Sequence, residues 1–413
     1  MKKQCRMCGG EKFKKVIDFG KNPLVNSLVE RDKIYEKEEV YPLVVEQCQD
    51  CHLVQIVNPI SSDKIYRNED YLYFSGDMPG LNEYFRDYAK DIIRRFVKPN
   101  DFIVEIGSND GTMLKQFLNN IKVSVLGIDP ASNVVARALK NGISTISDFF
   151  SERLAKSIER EFGKADVIYG NNCIAHLNNL DDLMNGVNLL LKDNGVFIVE
   201  CNYWGGMVKN KNYALIYHDH FSYFTLTNWV DYLRKFNMMV FDAFITPAQG
   251  GSLRLFVCKW KNKRQPTQRC MDLFKEEKDT NLNSYETCQK YEREVKEEAR
   301  KLGDLVKKLK SEGKKIAGYG AAAKGFSVLK LAEINKNQIS YFVDDSPAKQ
   351  GKYTPVSHIP IISRQEAEKD KDLYGLPDYF FITAPNYKDV IIEKEKTFKE
   401  NGGKFITVNS EII

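Results

Sequence analysis

Between residues 81 and 260, two kinds of pattern alternate. Stretches in which apolar residues recur with the period of a helix are followed by short, continuous apolar runs. The stretch 81–97 has the spacing of a helix, and the apolar run 102–106 that follows it predicts a buried strand. Further strands are predicted at 123–128, 143–147, 165–170, 196–200, 238–244 and 252–259. Strands that alternate with helices in this way indicate an α/β domain with a doubly wound, mostly parallel sheet.

The strongest signs of a ligand-binding site lie at the end of the first predicted strand. Glu105 closes the strand, a turn from Gly107 to Gly111 leads into a helix, and Asp129 closes the next strand. Glycines let a ligand approach the backbone, and an acidic residue at that position can bond ribose hydroxyls. The middle glycine that makes room for a pyrophosphate is Asn109 here, so a nucleoside without pyrophosphate, such as S-adenosylmethionine, fits better than a dinucleotide.

Other candidate contacts to this ligand follow the later strands. Asp148-Phe149 could bond and stack on an adenine, although ordinary loop packing explains this pair equally well. Asn171-Asn172 ends the next strand, at the carboxyl edge where ligands bind in such sheets. The candidate cofactor-binding residues are Glu105, Gly107, Asn109, Asp110, Gly111, Asp129, Pro130, Asp148, Phe149, Asn171 and Asn172.

Four cysteines form two C-x-x-C pairs near the start of the chain. Cys5 and Cys8 make the first pair, and Cys48 and Cys51 make the second. Two such pairs offer four thiolates to one tetrahedral ion, which suits zinc. Since four sulfur ligands leave no open position, we expect this zinc to be structural.

Histidine, aspartate and tyrosine cluster in the segment Tyr217-His218-Asp219-His220. Groups of this kind can hold a general base, orient it and donate a proton to a developing oxyanion. His176 follows an earlier strand of the same predicted sheet. Tyr71 and Tyr73 lie in an aromatic segment that could form a lid or bind a hydroxylated substrate, or could simply seal an interface.

The last third of the chain predicts a second, smaller Rossmann-like domain. A helical linker, 263–313, precedes it, and residues 268–312 of this linker are rich in charge. Gly318–Gly325 then forms a strand–turn–helix in which Lys324 at the helix start could hold a diphosphate, and Asp344 closes the next strand. A scaffold that merely packs on the first domain is the alternative.

Charge and the N-terminal sequence narrow the classes of partner. The net charge is only +5 on 61 basic and 56 acidic residues, without a long basic block, so we expect no nucleic acid partner. No apolar stretch approaches the ~20 residues of a membrane span, and no signal peptide is recognised. We therefore expect a cytoplasmic protein without a membrane partner. Its oligomeric state is left open, with a monomer as one possibility.

Taken in order, these motifs resemble the three-domain sugar C-methyltransferases, which act on nucleotide-linked 4-keto deoxysugars. The matching segments are the paired cysteines, Glu105–Gly111, Asn171–His176, Tyr217–Phe224, Gly250–Arg254, and Gly318–Gly325 with Asp344. The predicted domains are a zinc-binding module at 1–70, a methyltransferase domain at 71–262, a helical linker at 263–313 and a nucleotide-sugar-binding domain at 314–413.

The resemblance also implies roles for individual residues. His220 would be the general base, and the catalytic set would be His220, Tyr217, Asp219, His176, Tyr73 and Tyr71. The nucleotide-diphosphate sugar would be bound by Tyr71, Tyr73, Ser252, Arg254, Gly320, Lys324, Gly325, Asp344, Lys349 and Tyr353. S-adenosylmethionine would be the methyl donor, and zinc would be structural. Two other functions stay open: methyl transfer to RNA or protein, and a non-catalytic protein that binds nucleotide sugars.

Overall fold

The computed structural model describes residues 3–24, 27–67, 71–78, 80–321, 323–370 and 373–413, without the side chains of Ala323, Lys324 and Asn386. Two compact units are present. The first comprises residues 1–14, 47–205 and 221–284, and the second comprises 15–46, 206–220 and 285–413. These units cut across the four predicted domain ranges, which stay a prediction.

The N-terminal part is rich in strands. Its elements are β1 (Phe13–Asn22), β2 (Tyr41–Cys48), β3 (Val54–Ile56) and α1 (Ser62–Tyr66).

The part that follows contains the predicted alternation of helices and strands. Its first half comprises α2 (Leu81–Phe96), β4 (Phe102–Ile106), α3 (Thr112–Asn120), β5 (Ser124–Ile128), α4 (Ser132–Lys140), β6 (Thr145–Ile146), α5 (Glu152–Phe162), β7 (Ala165–Asn171) and α6 (Leu180–Leu190). Its second half comprises β8 (Leu191–Asn202), α7 (Trp204–Asn210), β9 (Ser222–Tyr223), α8 (Leu226–Leu233), β10 (Met238–Thr246), β11 (Ser252–Lys259) and α9 (Gln268–Asp279). In the first unit, β3 pairs antiparallel with β9.

The main sheet of the first unit has the order β10-β11-β8-β7-β4-β5-β6 among the described residues. Every neighbouring pair is parallel except those of β11, which runs antiparallel to both β10 and β8. Helices α2 and α3 cover one face through apolar side chains such as Phe85, Ile92 and Phe117. The strand order reverses between β4 and β7, so the ligand crevice of a doubly wound sheet is expected at the carboxyl ends of these two strands.

The second unit carries a smaller sheet of the same kind. Its elements are α10 (Tyr285–Ser311), β12 (Ile316–Tyr319), α11 (Ala323–Leu331), β13 (Phe342–Val343), β14 (Ile361–Ile362), α12 (Arg364–Lys369), β15 (Tyr379–Ile382), α13 (Lys388–Lys394), α14 (Lys396–Glu400) and β16 (Lys404–Ile406). The described strands are all parallel, in the order β14-β13-β12-β15-β16. Both sheets confirm the predicted fold class. Within the described ranges, no helix combines the length and apolar character that crossing a membrane requires.

Candidate functional site

The turn after β4 lies against the turn after β7 at the point where the strand order reverses. Gly107 has φ +68°, and a side chain there would begin 2.5 Å from Cβ of Cys173. Gly111 has φ +77°, and a side chain there would begin 2.8 Å from Ile143. Only glycine fits such positions without strain. The two glycines therefore let the turn pack closely on its neighbours, and its contact with a nucleoside stays a prediction.

Asp129 braces this turn from the end of β5. Its Oδ2 accepts the amide N–H of Asn109 at 2.9 Å, and its Oδ1 accepts that of Ala131 at 3.0 Å. Burial raises the pKa of Asp129 to about 6, while the two amide donors work in the opposite direction. Each carboxylate oxygen keeps a second lone pair, so the group can still accept hydrogen bonds from a ribose.

Glu105 and Asn171 make their contacts inside the domain. Glu105 is 3% exposed and accepts a hydrogen bond from the phenol of Tyr169 at 3.0 Å. Burial raises the pKa of Glu105 well above its ordinary value. The amide of Asn171 donates to the sulfur of Met113 at 2.8 Å. Glu105 thus contacts the neighbouring strand β7 and Asn171 contacts α3, and the contacts of both residues with a cofactor stay a prediction.

A segment that we call the strap, residues 71–78, is fastened to the turn after β4. Asn109 donates from Nδ2 to the carbonyl of Tyr73 at 3.0 Å and accepts from the amide of Ser75 at 2.8 Å. Asp110 accepts from the amide of Gly76 at 3.0 Å. Two predicted cofactor residues thus use their side chains to hold the strap, a role that the sequence analysis missed.

Helix α4 holds the other side of the strap. Asn133 donates to the carbonyl of Tyr71 at 2.8 Å. Arg137 forms a two-pronged ion pair with Asp77 at 2.7 and 2.6 Å, and its guanidinium lies 4.6 Å from the ring centre of Phe74. The strap is therefore tied to the turn after β4 by main-chain hydrogen bonds, and to helix α4 by a main-chain hydrogen bond and one ion pair.

Asp148 and Phe149, the predicted adenine contacts, both lie against Arg67. The guanidinium of Arg67 donates to Asp148 at 2.7 Å and lies 5.1 Å from the ring centre of Phe149. The structure gives this pair a protein partner, and its contact with adenine stays a prediction. Pro130 follows the brace residue Asp129 directly in sequence.

His176 belongs to an aromatic cluster in the first unit. Its ring stacks on Tyr66 with centres 5.5 Å apart, and Tyr66 lies 5.9 Å from Tyr71. Burial lowers the pKa of His176 to about 4, so the imidazole is neutral at physiological pH. The structure thus brings together two residues of the predicted catalytic set, His176 and Tyr71, through Tyr66. Tyr73, a third member of that set, lies in the strap, and its carbonyl accepts the hydrogen bond from Asn109.

Tyr217 and His220 form a hydrogen-bonded pair in the second unit. The phenol oxygen lies 2.8 Å from Nε2 of His220, and Nδ1 lies 2.7 Å from the carbonyl oxygen of Leu215. A carbonyl only accepts, so Nδ1 carries a proton, and in the neutral form of the ring Nε2 is then the accepting nitrogen. His220 therefore has the tautomer that a general base at Nε2 requires.

Asp219 does not orient His220, contrary to the role expected for an acidic residue in this cluster. The carbonyl of Leu215 holds the ring instead. Oδ1 of Asp219 is buried and has no hydrogen-bond partner among the described residues. Burial raises the pKa of Asp219 to about 8, so this carboxyl is largely protonated at neutral pH.

The second sheet repeats the brace seen at Asp129. Oδ2 of Asp344 accepts the amide of Ala321 at 2.8 Å, and its Oδ1 accepts that of Ser346 at 2.9 Å. Lys349 adds a contact to Oδ2 at 3.1 Å. Gly320 follows β12 with φ +81°, in the turn where a nucleotide was predicted. This second crevice is thus built on the same principle as the first.

The remaining predicted substrate residues are engaged within the protein or lie outside the described part. Gly325 packs so closely on Thr383 that a side chain would begin 2.5 Å from it. Tyr353 pairs with Val29 through its backbone. The side chain of Lys324 lies outside the described residues.

Ser252 and Arg254 are buried in β11. Ser252 donates to the carbonyl of Ala248 at 3.0 Å. Arg254 pairs with Glu200 at 2.7 Å and donates to the phenol of Tyr84 at the same distance. A buried ion pair of this kind leaves few donors for a ligand, so the predicted substrate contact of Arg254 stays a prediction.

The sulfur atoms of Cys5, Cys8, Cys48 and Cys51 all lie within 4.8 Å of one another. Four sulfurs around one zinc ion at about 2.3 Å stand about 3.8 Å apart, so the spacing fits a tetrahedral site. Gln55 donates from Nε2 to the sulfur of Cys5 at 3.1 Å, and Gly10 donates its amide to Cys8 at 3.4 Å. These donors suit sulfurs that carry negative charge.

Comparison with known proteins places this geometry in a family. Residues 5–66 match the family of a candidate zinc binding domain, 81–241 a methyltransferase domain, and 247–408 a C-methyltransferase C-terminal domain. C-methyltransferase NovU of Streptomyces niveus is 30% identical over 404 residues, which cover 98% of this chain and 94% of NovU. The chain belongs to the C-methyltransferase family. It is therefore an S-adenosylmethionine-dependent methyltransferase, as the turn after β4 predicted.

Two further similarities concern parts of the methyltransferase. The uncharacterized protein MJ1252 of Methanocaldococcus jannaschii is 31% identical over 138 residues, which cover 33% of this chain and 48% of that protein. The crystal structure of an S-adenosylmethionine-dependent methyltransferase from Clostridium acetobutylicum is 13% identical, with a TM-score of 0.34. That match covers 45% of this chain and 93% of the other.

Proposed function

We propose that this methyltransferase transfers a methyl group to a carbon next to the ketone of a nucleotide-linked 4-keto deoxysugar, with His220 as the general base. The hydrogen bonding of His220 carries the proposal. Because Leu215 holds the proton on Nδ1, Nε2 has the lone pair that must remove a proton from carbon. The phenol of Tyr217 lies 2.8 Å from Nε2. When the substrate binds, its O–H would turn from Nε2 to the ketone oxygen, which frees the Nε2 lone pair and stabilises the enolate that forms.

The proposed reaction has two steps. Nε2 of His220 first takes the proton from the carbon beside the ketone, and the electron pair of the broken C–H bond becomes the enolate, with its oxygen hydrogen-bonded to Tyr217. When bound, S-adenosylmethionine supplies the methyl group, so that a C–C bond forms as the C–S bond breaks and S-adenosylhomocysteine leaves. His220 then returns its proton to solvent.

Binding of the two substrates is assigned to the two sheets. The turn Gly107–Gly111 with Asp129 would hold the methyl donor, because an acidic brace after the second strand accepts ribose hydroxyls. The crevice formed by Gly320 and Asp344 would hold the nucleotide of the sugar, and Lys324 at the start of α11 would contact its diphosphate. The resemblance of the whole chain to sugar C-methyltransferases supports this choice of substrate.

The four cysteines are proposed to hold one structural zinc ion. Their sulfur spacing and the donors from Gln55 and Gly10 fit four thiolates around a cation. A closed set of four ligands supplies folding free energy to its module rather than a reactive position.

A screen of nucleotide 4-keto sugars with S-adenosylmethionine tests the substrate class, with mass spectrometry reporting the gain of one methyl group. Exchange of the proton beside the ketone in D₂O, without a methyl donor, isolates the base step. His220→Asn is expected to slow both exchange and transfer by ~10²–10⁴-fold with binding retained. His218→Asn is the matched control, since His218 hydrogen-bonds the carbonyl of Tyr41 at 3.2 Å. Exchange at the wild-type rate in His220→Asn would place the base elsewhere.

A further inference from the structure

Arg6 is a buried arginine located between the two cysteines of the first C-x-x-C pair. It is 9% exposed. Its guanidinium donates to the side-chain oxygen of Gln55 at 2.9 Å and to the carbonyl of Ile56 at 2.5 Å. It also donates to the carbonyl of Phe221 at 3.2 Å and to the side-chain oxygen of Asn178 at 3.2 Å. Burying an arginine this thoroughly is costly unless its donors are satisfied, and here four different groups satisfy them.

Two of these partners adjoin the histidines of the candidate site. Phe221 directly follows His220 in the chain, and Asn178 lies two residues after His176. The amide of Phe221 also donates to the carbonyl of Ala175, the residue before His176, at 2.8 Å. One guanidinium therefore joins the backbone that follows His220 to the loop that carries His176.

The other two partners belong to the part of the chain that matches the zinc binding domain, residues 5–66, which we call the cysteine module. Gln55 accepts from both the guanidinium and the amide N–H of Arg6, and it donates to the sulfur of Cys5 at 3.1 Å. Ile56 lies in β3, and its amide donates to the carbonyl of Phe221 at 2.9 Å. The contacts with Gln55 and Ile56 thus fix the position of the guanidinium. Its contacts with Phe221 and Asn178 in turn hold the segments that adjoin His220 and His176.

We propose that Arg6 is a positioning residue, through which the cysteine module fixes the backbone that carries His220 and the loop that carries His176. The planar fork of arginine is essential to this role, because it reaches several oxygen atoms in fixed directions at once. A lysine would keep the charge but could not bridge the same oxygens. The inference rests on the proposed function of His220 as base, and it gives the cysteine module a part in catalysis beyond folding.

The first test uses the hydrogen bonding of His220 itself, in protein labelled with ¹⁵N at histidine and without substrate. The wild-type ring is expected to show one tautomer, protonated at Nδ1. In Arg6→Gln, the signals of His220 are expected to shift toward an average of the two tautomers, with His220→Asn used to assign them. Unchanged His220 signals in folded Arg6→Gln would overturn the proposal, and this readout does not depend on knowing the sugar.

The second test separates positioning from stability by kinetics. Arg6→Gln and Arg6→Lys are both expected to lower kcat at least tenfold, with the KM of both substrates and the zinc content unchanged. Arg95→Gln is the matched control, because Arg95 pairs with Asp242 at 2.5 Å and touches neither histidine loop. Full activity in Arg6→Lys would mean that only the charge matters, which would overturn the bridging role.

A variant outside the first C-x-x-C pair keeps the proposal testable if the Arg6 variants do not fold. Asn178→Ala removes one acceptor at an exposed position and is expected to lower kcat several-fold without changing zinc content. Wild-type kcat in this variant would count against the bridge. Failure of every sugar substrate with the wild-type enzyme would instead refute the proposed function, while the ¹⁵N test of Arg6 would still be decisive.

Discussion

The phenol of Tyr217 lies 2.8 Å from Nε2 of His220, whose Nδ1 donates to the carbonyl of Leu215. In the proposed reaction, this one pair would supply both the base and the hydrogen-bond donor for the same enolate. Its members are three residues apart, in a segment whose fold is fixed locally by the amide of His220 bonded to the carbonyl of Tyr217 at 3.1 Å. The two groups should therefore be separable by mutation.

Tyr217→Phe should lower kcat by ~10²–10³-fold, because one donor to the enolate oxygen is lost. The KM of both substrates should stay near the wild-type value, because the phenol acts on the enolate rather than on the bound ketone sugar. Steady-state kinetics of Tyr217→Phe provide the measurement. A wild-type kcat in this variant would show that the phenol does not stabilise the enolate.

Binding of the methyl donor should depend on the ionisation of Asp129. Ribose hydroxyls donate to the carboxylate, so affinity should fall as pH drops through about 6, where the pKa of Asp129 lies in the free protein. Asp129→Asn should bind S-adenosylhomocysteine at least tenfold more weakly at pH 7.5 and lose this pH dependence. Calorimetry between pH 5 and 8 measures both effects. Equal affinity of the two proteins would reject Asp129 as the ribose ligand.

The ion pair between Asp77 and Arg137 should control how long the methyl donor stays bound. Arg137→Asp breaks the pair and places like charges together, which should speed dissociation of S-adenosylhomocysteine several-fold. The double variant with Asp77→Arg restores the attraction and should recover most of the wild-type rate. Stopped-flow dissociation rates test this reciprocity. If the double variant behaves like Arg137→Asp, the strap does not act through this pair.

Asp219→Asn should change the pH dependence of stability. Burial raises the pKa of Asp219 from 3.8 to about 8, so its protonated form stabilises the fold fully below about pH 4, and this stability is lost as pH rises through 8. An asparagine cannot ionise. The variant should therefore have a Tm advantage over the wild type that grows between pH 4 and pH 8 in calorimetric scans. A constant difference across this range would show that Asp219 ionises normally.

If the four cysteines hold the proposed zinc, removing one of them should release the ion and unfold the cysteine module. Cys48→Ser should purify with much less than one zinc per chain, and Cys270→Ser, a buried cysteine outside the cluster, should retain a full equivalent. Elemental analysis and limited proteolysis around residues 5–51 measure the two effects. A metal-free wild-type protein with a folded module would refute the zinc site.

The sequence predicted what local patterning determines. It was possible to predict the strand at 102–106, the glycine turn, Asp129 and the two C-x-x-C pairs, because each depends on residues close together in the chain. The contacts of the strap could not be predicted in this way. Asp77 and Arg137 lie 60 residues apart, and no local pattern indicates that they pair. The carbonyl of Leu215 displaced Asp219 as the group that orients His220, because backbone acceptors carry no signature in sequence.

Asn109 has consequences for how this loop can evolve. It adopts φ 49°, a conformation that asparagine tolerates, while its amide reaches Asp129 and its side chain reaches Tyr73 and Ser75. A change to glycine would suit the turn but release the strap, and a change in the strap would leave the asparagine without its partners. Substitutions at position 109 and at residues 73–75 should therefore be correlated among relatives. A search that demands glycine there would pass over enzymes of this design.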